Sequence, residues 1–343
     1  MLTYRHGPQS DPFHYIYSSD GWLRDYDPPA KFPFWLNIEP TNACQLNCLF
    51  CSRQLSQRPI GYMDLSLAEE IFAQASGQGA AVRFTGWGEP LIHPKIDLLA
   101  EKAKKHNLKL KIYTNGLALT EAMMDRFIEA GVDEVQFSLQ GLTPEQYAFN
   151  RVGSDYDKLK KNIIMASERR QNNRPFLSVL TSVLADEAAK ADGEDFTNQW
   201  LQYVDKVAID LTNLNFVSSL SRVSPYLNNQ SSDLRRGPCV DVFLALEIKY
   251  DGSIQFCGQD SKGLEEHTIG RFGQISLASA WLGAKMERQR QLVGRDFGHA
   301  LSPVCQNCYH NTDKYELFKK LSRQAKTGDG EWGDERDRTS GGR

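Results

Sequence analysis

Three cysteines fall within eight residues, in Glu39-Pro-Thr-Asn-Ala-Cys44-Gln-Leu-Asn-Cys48-Leu-Phe-Cys51. The spacing C-x3-C-x2-C puts three soft thiolate ligands on one short loop, enough to hold three irons of a cubane [4Fe–4S] cluster. The fourth iron of such a cluster is left without a protein ligand. An open iron can chelate the amine and carboxylate of an amino acid and pass an electron into its sulfonium. Two blander roles compete. A C-x-x-C pair is often half of a zinc or thiol-redox site, and a buried cysteine is often only a small apolar residue. Three cysteines so spaced favour the cluster.

Four further cysteines stand at Cys239, Cys257, Cys305 and Cys308. An odd total of seven, after an N-terminus without an apolar run, argues against a disulfide framework. With a net charge of -3, nothing favours binding to nucleic acid or to an anionic membrane surface. No apolar run reaches the ~18 residues a spanning helix needs. A soluble cytoplasmic protein is expected.

The elements that must position these cysteines repeat. Short β-prone runs lie at 35–39, 81–85, 109–114, 134–139, 176–184 and 206–211, with helical stretches between most of them. Ser66-Leu67-Ala68-Glu69 reads as a capping box, 94–106 and 120–130 as the second and third helices, and Thr143-Pro144-Glu145-Gln146 as another helix start. A further helix is expected over 155–171. Six strands alternating with helices imply an α/β fold with a parallel sheet. About 180 residues are too few for a closed eight-fold barrel, so an open, partial (β/α)6 TIM-like barrel is expected over 35–212. Sites gather at the C-terminal ends of such strands, and the cysteine loop follows the first.

Residues 1–34 have no clear period and read as an irregular arm. Residues 213–237 are rich in Ser, Asn and Arg and read as a connector. Over 238–321, runs at 243–248 and 253–256 around Tyr250-Asp251-Gly252 predict a hairpin, followed by a helix over about 277–292 and the Cys305/Cys308 pair. Residues 322–343 cannot bury apolar surface and are expected to be a disordered tail.

The cysteine segment resembles the signature of the radical S-adenosylmethionine superfamily, C-x3-C-x-aromatic-C, with Phe50 in the aromatic place. Thr85-Gly86-Trp87-Gly88-Glu89-Pro90 is similar to the family's Gly-Gly-Glu-Pro element, whose backbone and acid hold the methionine amino group. Trp87 departs from it by splitting the two glycines. The resemblance extends to the strand ends at Asn115 and Ser138, with Ser138 facing the cofactor's ribose. The downstream spacing Cys239-x17-Cys257-x47-Cys305-x2-Cys308 resembles a twitch or truncated SPASM module, which implies a second [4Fe–4S] cluster. A structural zinc is the competing occupant of that site.

Within the superfamily the chain is similar to radical dehydrogenases of aminocyclitols and sugars. The resemblance implies cleavage of S-adenosylmethionine to a 5′-deoxyadenosyl radical and oxidation of a hydroxyl-bearing small molecule to a ketone. It also implies an external electron donor such as flavodoxin or ferredoxin. Three plus four cysteines use all seven, leaving no thiol to return a hydrogen atom as radical epimerases generally do. Candidate residues for handling the hydroxyl are Arg222 in the connector, with Arg235 and Arg236 nearby, and Arg151. Sugar epimerisation or decarboxylation, peptide modification and a non-catalytic metal scaffold are the alternative outcomes.

Overall fold

Runs of Val, Ile, Leu and Phe alternate with polar residues along each predicted strand, and this period-2 pattern gives one sheet with two different faces. The computed structural model describes residues 3–6, 31–172, 174–184, 192–212, 239, 241–295, 305 and 308. The chain order is β1 (Thr3–His6), β2 (Trp35–Ile38), α1 (Leu65–Ala75), β3 (Ala81–Phe84), α2 (Ile96–Lys105) and β4 (Lys109–Thr114). Then come α3 (Glu121–Ala130), β5 (Glu134–Gln140), α4 (Pro144–Asn150), α5 (Tyr156–Arg169), β6 (Phe176–Val183), α6 (Gly193–Leu201) and β7 (Lys206–Leu211). Strands β2 to β7 lie side by side in sequence order and are parallel throughout, the open partial barrel expected.

Local chemistry sets the helix starts. The Thr120 hydroxyl accepts the Met123 N–H at 3.2 Å, and α3 ends on Gly131 in the left-handed region at φ 79. Thr143 caps α4 by accepting the Gln146 N–H, with Pro144 in the first turn. For α1 the capping-box reading places the start too late. Asp64 is the cap, because its carboxylate takes both the Ser66 N–H (2.7 Å) and the Ser66 hydroxyl (2.6 Å).

On the outer face Leu36, Ile38, Val82, Phe84, Leu110, Ile112, Val135, Phe137, Leu177 and Val179 are buried beneath the helices. The inner face is polar. Register aligns Asn37, Arg83, Lys111 and Glu134 in one row across β2 to β5. Buried charge there is paired: Lys111 Nζ meets Glu134 Oε1 at 2.8 Å, and the Ser178 hydroxyl donates to the same oxygen at 2.5 Å.

The remaining elements are α7 (Asp241–Leu244), β8 (Ala245–Ile248), β9 (Ser253–Gln255), β10 (Thr268–Arg271), α8 (Leu277–Leu282) and α9 (Ala284–Gln289), with a π turn over Arg290–Arg295. The β8–β9 hairpin forms as expected, but it does not stand apart from the barrel. β8 pairs in parallel with β2, so β8, β9 and β10 prolong the barrel sheet. Asn37 Nδ2 donates to Glu247 Oε1 across that seam at 2.5 Å. At the opposite edge β1 pairs antiparallel with β7, where an irregular arm was expected; it covers hydrogen-bonding groups an edge strand would leave open. The helix expected over 277–292 is interrupted by Gly283, whose backbone is extended. Among the described residues no helix is long and apolar enough to cross a membrane. The connector over 213–237, with Arg222, and the tail over 322–343 lie outside the described residues.

Candidate active site

The cysteine loop leaves the end of β2 and is held from both sides. Asn47 and Leu49 donate their N–H groups to the carbonyls of Val152 (3.0 Å) and Asn150 (2.8 Å), in the segment that ends α4. From within the loop, Arg53 Nη2 donates to the Leu46 carbonyl at 2.9 Å and Gln54 Nε2 to the Cys48 carbonyl at 2.7 Å. Leu46 and Leu49 are buried, and Phe50 packs against the same core.

Cys48 is buried and Cys44 and Cys51 are half-buried. Burial pushes the Cys44 thiol up to about 11 and raises Cys48 and Cys51 as well. Against that, the Leu46 N–H points at Cys44 Sγ (3.4 Å), and the Arg53 and Arg151 charges favour the thiolates of Cys48 and Cys51. Three thiols facing one another, ringed by N–H donors and two guanidinium groups, suit a thiolate-bound cluster; metal binding releases protons that burial otherwise holds.

The turn after β3 is clamped onto this loop. Thr85 N–H donates to the Ile38 carbonyl (2.9 Å) and Glu89 N–H to the Ala43 carbonyl (2.7 Å). A side chain at Gly88 would put its Cβ 2.1 Å from the Thr41 carbonyl oxygen, so only glycine allows this approach. Gly86 sits at φ +135, and a Cβ there would lie 2.8 Å from Glu39 Cγ. The two glycines that make close contact therefore flank Trp87. Trp87 Nε1 is shielded from solvent and meets no acceptor among the described residues, an orphan donor beside the place where a cofactor would sit.

Glu89 is almost fully buried. Burial raises its pKa, opposed by donors from Asn115 N–H (2.7 Å), the Thr114 hydroxyl (2.6 Å) and Leu91 N–H (3.0 Å). Its carboxylate thus ties the end of β3 to the end of β4. Asn115 continues the link: its Oδ1 accepts from Gln45 Nε2 (3.1 Å), and its Nδ2 points at Cys44 Sγ (3.9 Å). Ser138 lies half-buried one residue past the Phe137–Thr114 pair, beside Leu180. Arg151 is buried, with Nε and Nη2 both donating to Gln140 Oε1 (3.1 and 2.9 Å). That places it against the cysteine loop, within electrostatic reach of Cys48, Cys51 and Glu89. Sequence reading missed Arg53 and Gln140, although Arg53 stands two residues after Cys51 and Gln140 at a strand end.

The second group of cysteines also converges. Burial, followed by the neighbouring Cys239, Cys308 and Cys305, holds the Cys257 thiol well above its ordinary range. The Gln259 N–H points at Cys257 Sγ (3.4 Å), and Cys308 N–H donates to the Cys305 carbonyl (3.2 Å). Among the described residues no three His, Cys, Asp or Glu side chains are arranged to hold a single metal ion.

The site is thus an open parallel barrel with three thiols after its first barrel strand and a glycine turn after its second. Residues 38–188 match the model of the Radical SAM superfamily. Over 151 residues the chain is 31% identical to the tungsten-containing aldehyde ferredoxin oxidoreductase cofactor-modifying protein of Pyrococcus furiosus; the match spans 42% of this chain and 42% of that relative's length. Among solved structures, BtrN in complex with AdoMet and 2-DOIA shares 18% identity and a TM-score of 0.51 over 81% of this chain and 93% of BtrN. anSMEcpe with bound AdoMet and Cp18Cys peptide gives 16% and 0.60 over 85% and 96%. Streptococcus suis SuiB bound to S-adenosylmethionine gives 18% and 0.55 over 88% and 78%. At these identities the likeness establishes a shared fold.

Proposed function

We propose that this chain is a radical S-adenosylmethionine oxidoreductase that converts a hydroxyl-bearing small molecule, of aminocyclitol or sugar type, to a ketone. The observation that carries the proposal is the gathering of Cys239, Cys257, Cys305 and Cys308 at the edge of the sheet whose mouth holds Cys44, Cys48 and Cys51. Four thiols ligate an auxiliary [4Fe–4S] cluster completely, which suits electron acceptance rather than substrate chelation. When bound at the first site, a reduced cluster with S-adenosylmethionine supplies a 5′-deoxyadenosyl radical.

The chain's own residues then have distinct tasks. Cys44, Cys48 and Cys51 hold the first cluster, and the Gly86–Trp87–Gly88 backbone cradles the methionine end. Glu89, committed to three internal donors, positions that turn and Asn115. Ser138 faces the ribose. The polar inner face offers Gln136 and Ser182 toward hydroxyl groups. Arg151, fixed by Gln140, stabilises negative charge as the hydroxyl proton leaves; a guanidinium is too weak a base to keep that proton. The net change would be loss of one C–H hydrogen atom and one O–H proton, the proton leaving to solvent and the remaining electron to the auxiliary cluster that Cys239, Cys257, Cys305 and Cys308 would hold. A flavodoxin or ferredoxin is the proposed source of the initiating electron.

A peptide substrate is the second reading, favoured by the likeness to anSMEcpe with its bound peptide. Turnover with an aminocyclitol deuterated at the hydroxyl-bearing carbon separates the outcomes. Label in 5′-deoxyadenosine together with a ketone supports the dehydrogenase. Solvent hydrogen at an inverted carbon establishes epimerisation, and label transfer only from peptides moves the chain to the other class.

A further inference from the structure

Glu39 directly follows β2 and is almost completely buried, yet it is not one of the residues the family motifs name. Its carboxylate is gripped by Arg58: Nη1 and Nη2 donate to Oε1 at 2.8 and 2.7 Å, and Nη2 also to Oε2 at 2.8 Å. The same Oε2 accepts the Trp87 N–H at 3.3 Å. Gly86 presses on the Glu39 side chain so closely that a Cβ would come within 2.8 Å of Cγ. The carboxylate therefore lies directly under the first half of the glycine turn.

Arg58 is in turn fixed from the C-terminal part of the sheet. Its guanidinium carbon lies 5.8 Å from the centre of the Tyr250 ring, at the β8–β9 turn. The Tyr250 hydroxyl donates to the Pro59 carbonyl at 2.7 Å, and Gly61 lies so near that a Cβ would come within 2.0 Å of the ring. The 59–61 segment is itself tied to the start of the cysteine loop. Asn42 Nδ2 donates to the Pro59 carbonyl (2.8 Å), Gly61 N–H to Asn42 Oδ1 (2.9 Å), and the Thr41 hydroxyl to the Gly61 carbonyl (2.6 Å).

We infer that Glu39 and Arg58 are positioning residues that hold the Gly86–Trp87–Gly88 turn in the form that binds S-adenosylmethionine, and that Tyr250 makes this hold depend on the auxiliary module. The inference rests on reading that turn as the methionine cradle. Burial makes the pair effective, because a carboxylate and a guanidinium out of water retain a fixed geometry only while each satisfies the other. A neutral side chain at 39 could still accept the Trp87 N–H but could not keep Arg58 in place. Glu39 reads the backbone N–H of Trp87 and not its ring, so the contact does not depend on which side chain stands between the two glycines.

The test uses the full chain with reconstituted clusters and S-adenosylmethionine itself as the probe, so no substrate is needed. Affinity is measured by equilibrium dialysis, alongside the cofactor-induced change in the electron paramagnetic resonance spectrum of the reduced first cluster. Glu39→Gln and Arg58→Met are expected to weaken binding about tenfold, equivalent to ~1.4 kcal/mol, with iron content and the cofactor-free spectrum unchanged. Arg58→Lys should recover part of the loss, and Tyr250→Leu should weaken binding by about threefold, in keeping with a half-buried cation–π contact. Affinities within twofold of the parent for all four variants overturn the inference. So does loss of iron with affinity per loaded cluster unaltered, which assigns the pair to the cysteine loop. Should Glu39→Gln lose iron through misfolding, Tyr250→Leu decides, because it leaves both charges in place. If the parent chain itself binds no S-adenosylmethionine, the reading of the turn fails instead.

Discussion

Cys44, Cys48 and Cys51 share one loop after β2, whereas Cys239, Cys257, Cys305 and Cys308 come from well-separated points and meet where β8 and β9 extend the same sheet. The first site is local. Its backbone is fixed by bonds to Asn150 and Val152, and its surroundings supply N–H donors and two arginines. The second is assembled by tertiary structure, and burial raises the Cys257 thiol there as it raises the three thiols of the first. A loop with one iron left open and charges close by suits a site that takes up a ligand and an electron. A site with four thiols, enough to ligate a cluster completely, suits electron storage rather than ligand uptake.

Replacing a first-site ligand should have the largest effect. Cys48→Ala is expected to abolish S-adenosylmethionine cleavage and remove about four irons per chain, read by product analysis and iron assay. At the second site the effect should be selective. Cys257→Ser is expected to lose ketone formation while the chain still releases 5′-deoxyadenosine, and loss of both activities would mean that the two sites are not functionally separate.

A third change probes the barrel between them. Glu134→Ala removes the buried carboxylate that pairs with Lys111 and accepts from Ser178, and should destabilise the fold by about 3 kcal/mol in denaturant unfolding of the metal-free chain. Smallest is Thr143→Ala, which removes the cap of the helix whose end supports the first cysteine loop. A cost of about 1 kcal/mol is expected, with iron binding retained. A larger loss of iron than of stability would show that α4 controls the loop directly.

Much of this contrast was readable from sequence because it depends on short-range chemistry. All six barrel strands fall where β-prone runs were expected, and the cap at Thr143 follows from a side-chain acceptor placed before a first-turn proline, whereas Thr120, expected inside its helix, proves to be the cap. The clamp of Gly88 on Thr41 was foreshadowed by glycine in a strand-end turn. What could not be read depends on register between distant segments. Nothing in Ala245–Ile248 announces that it pairs with β2, and nothing in Thr3–His6 announces an edge strand. The Glu39–Arg58 pair was equally hidden, since its two members belong to no motif and meet only after the loop closes.

The most direct test of a two-site radical enzyme is the metal content of the anaerobically reconstituted full chain, counted as iron, sulfide and zinc. Two cubanes predict about eight irons and eight sulfides per chain with no zinc. About four irons together with one zinc would contradict the account, because a redox-inert ion at Cys239, Cys257, Cys305 and Cys308 cannot accept the electron that ketone formation releases.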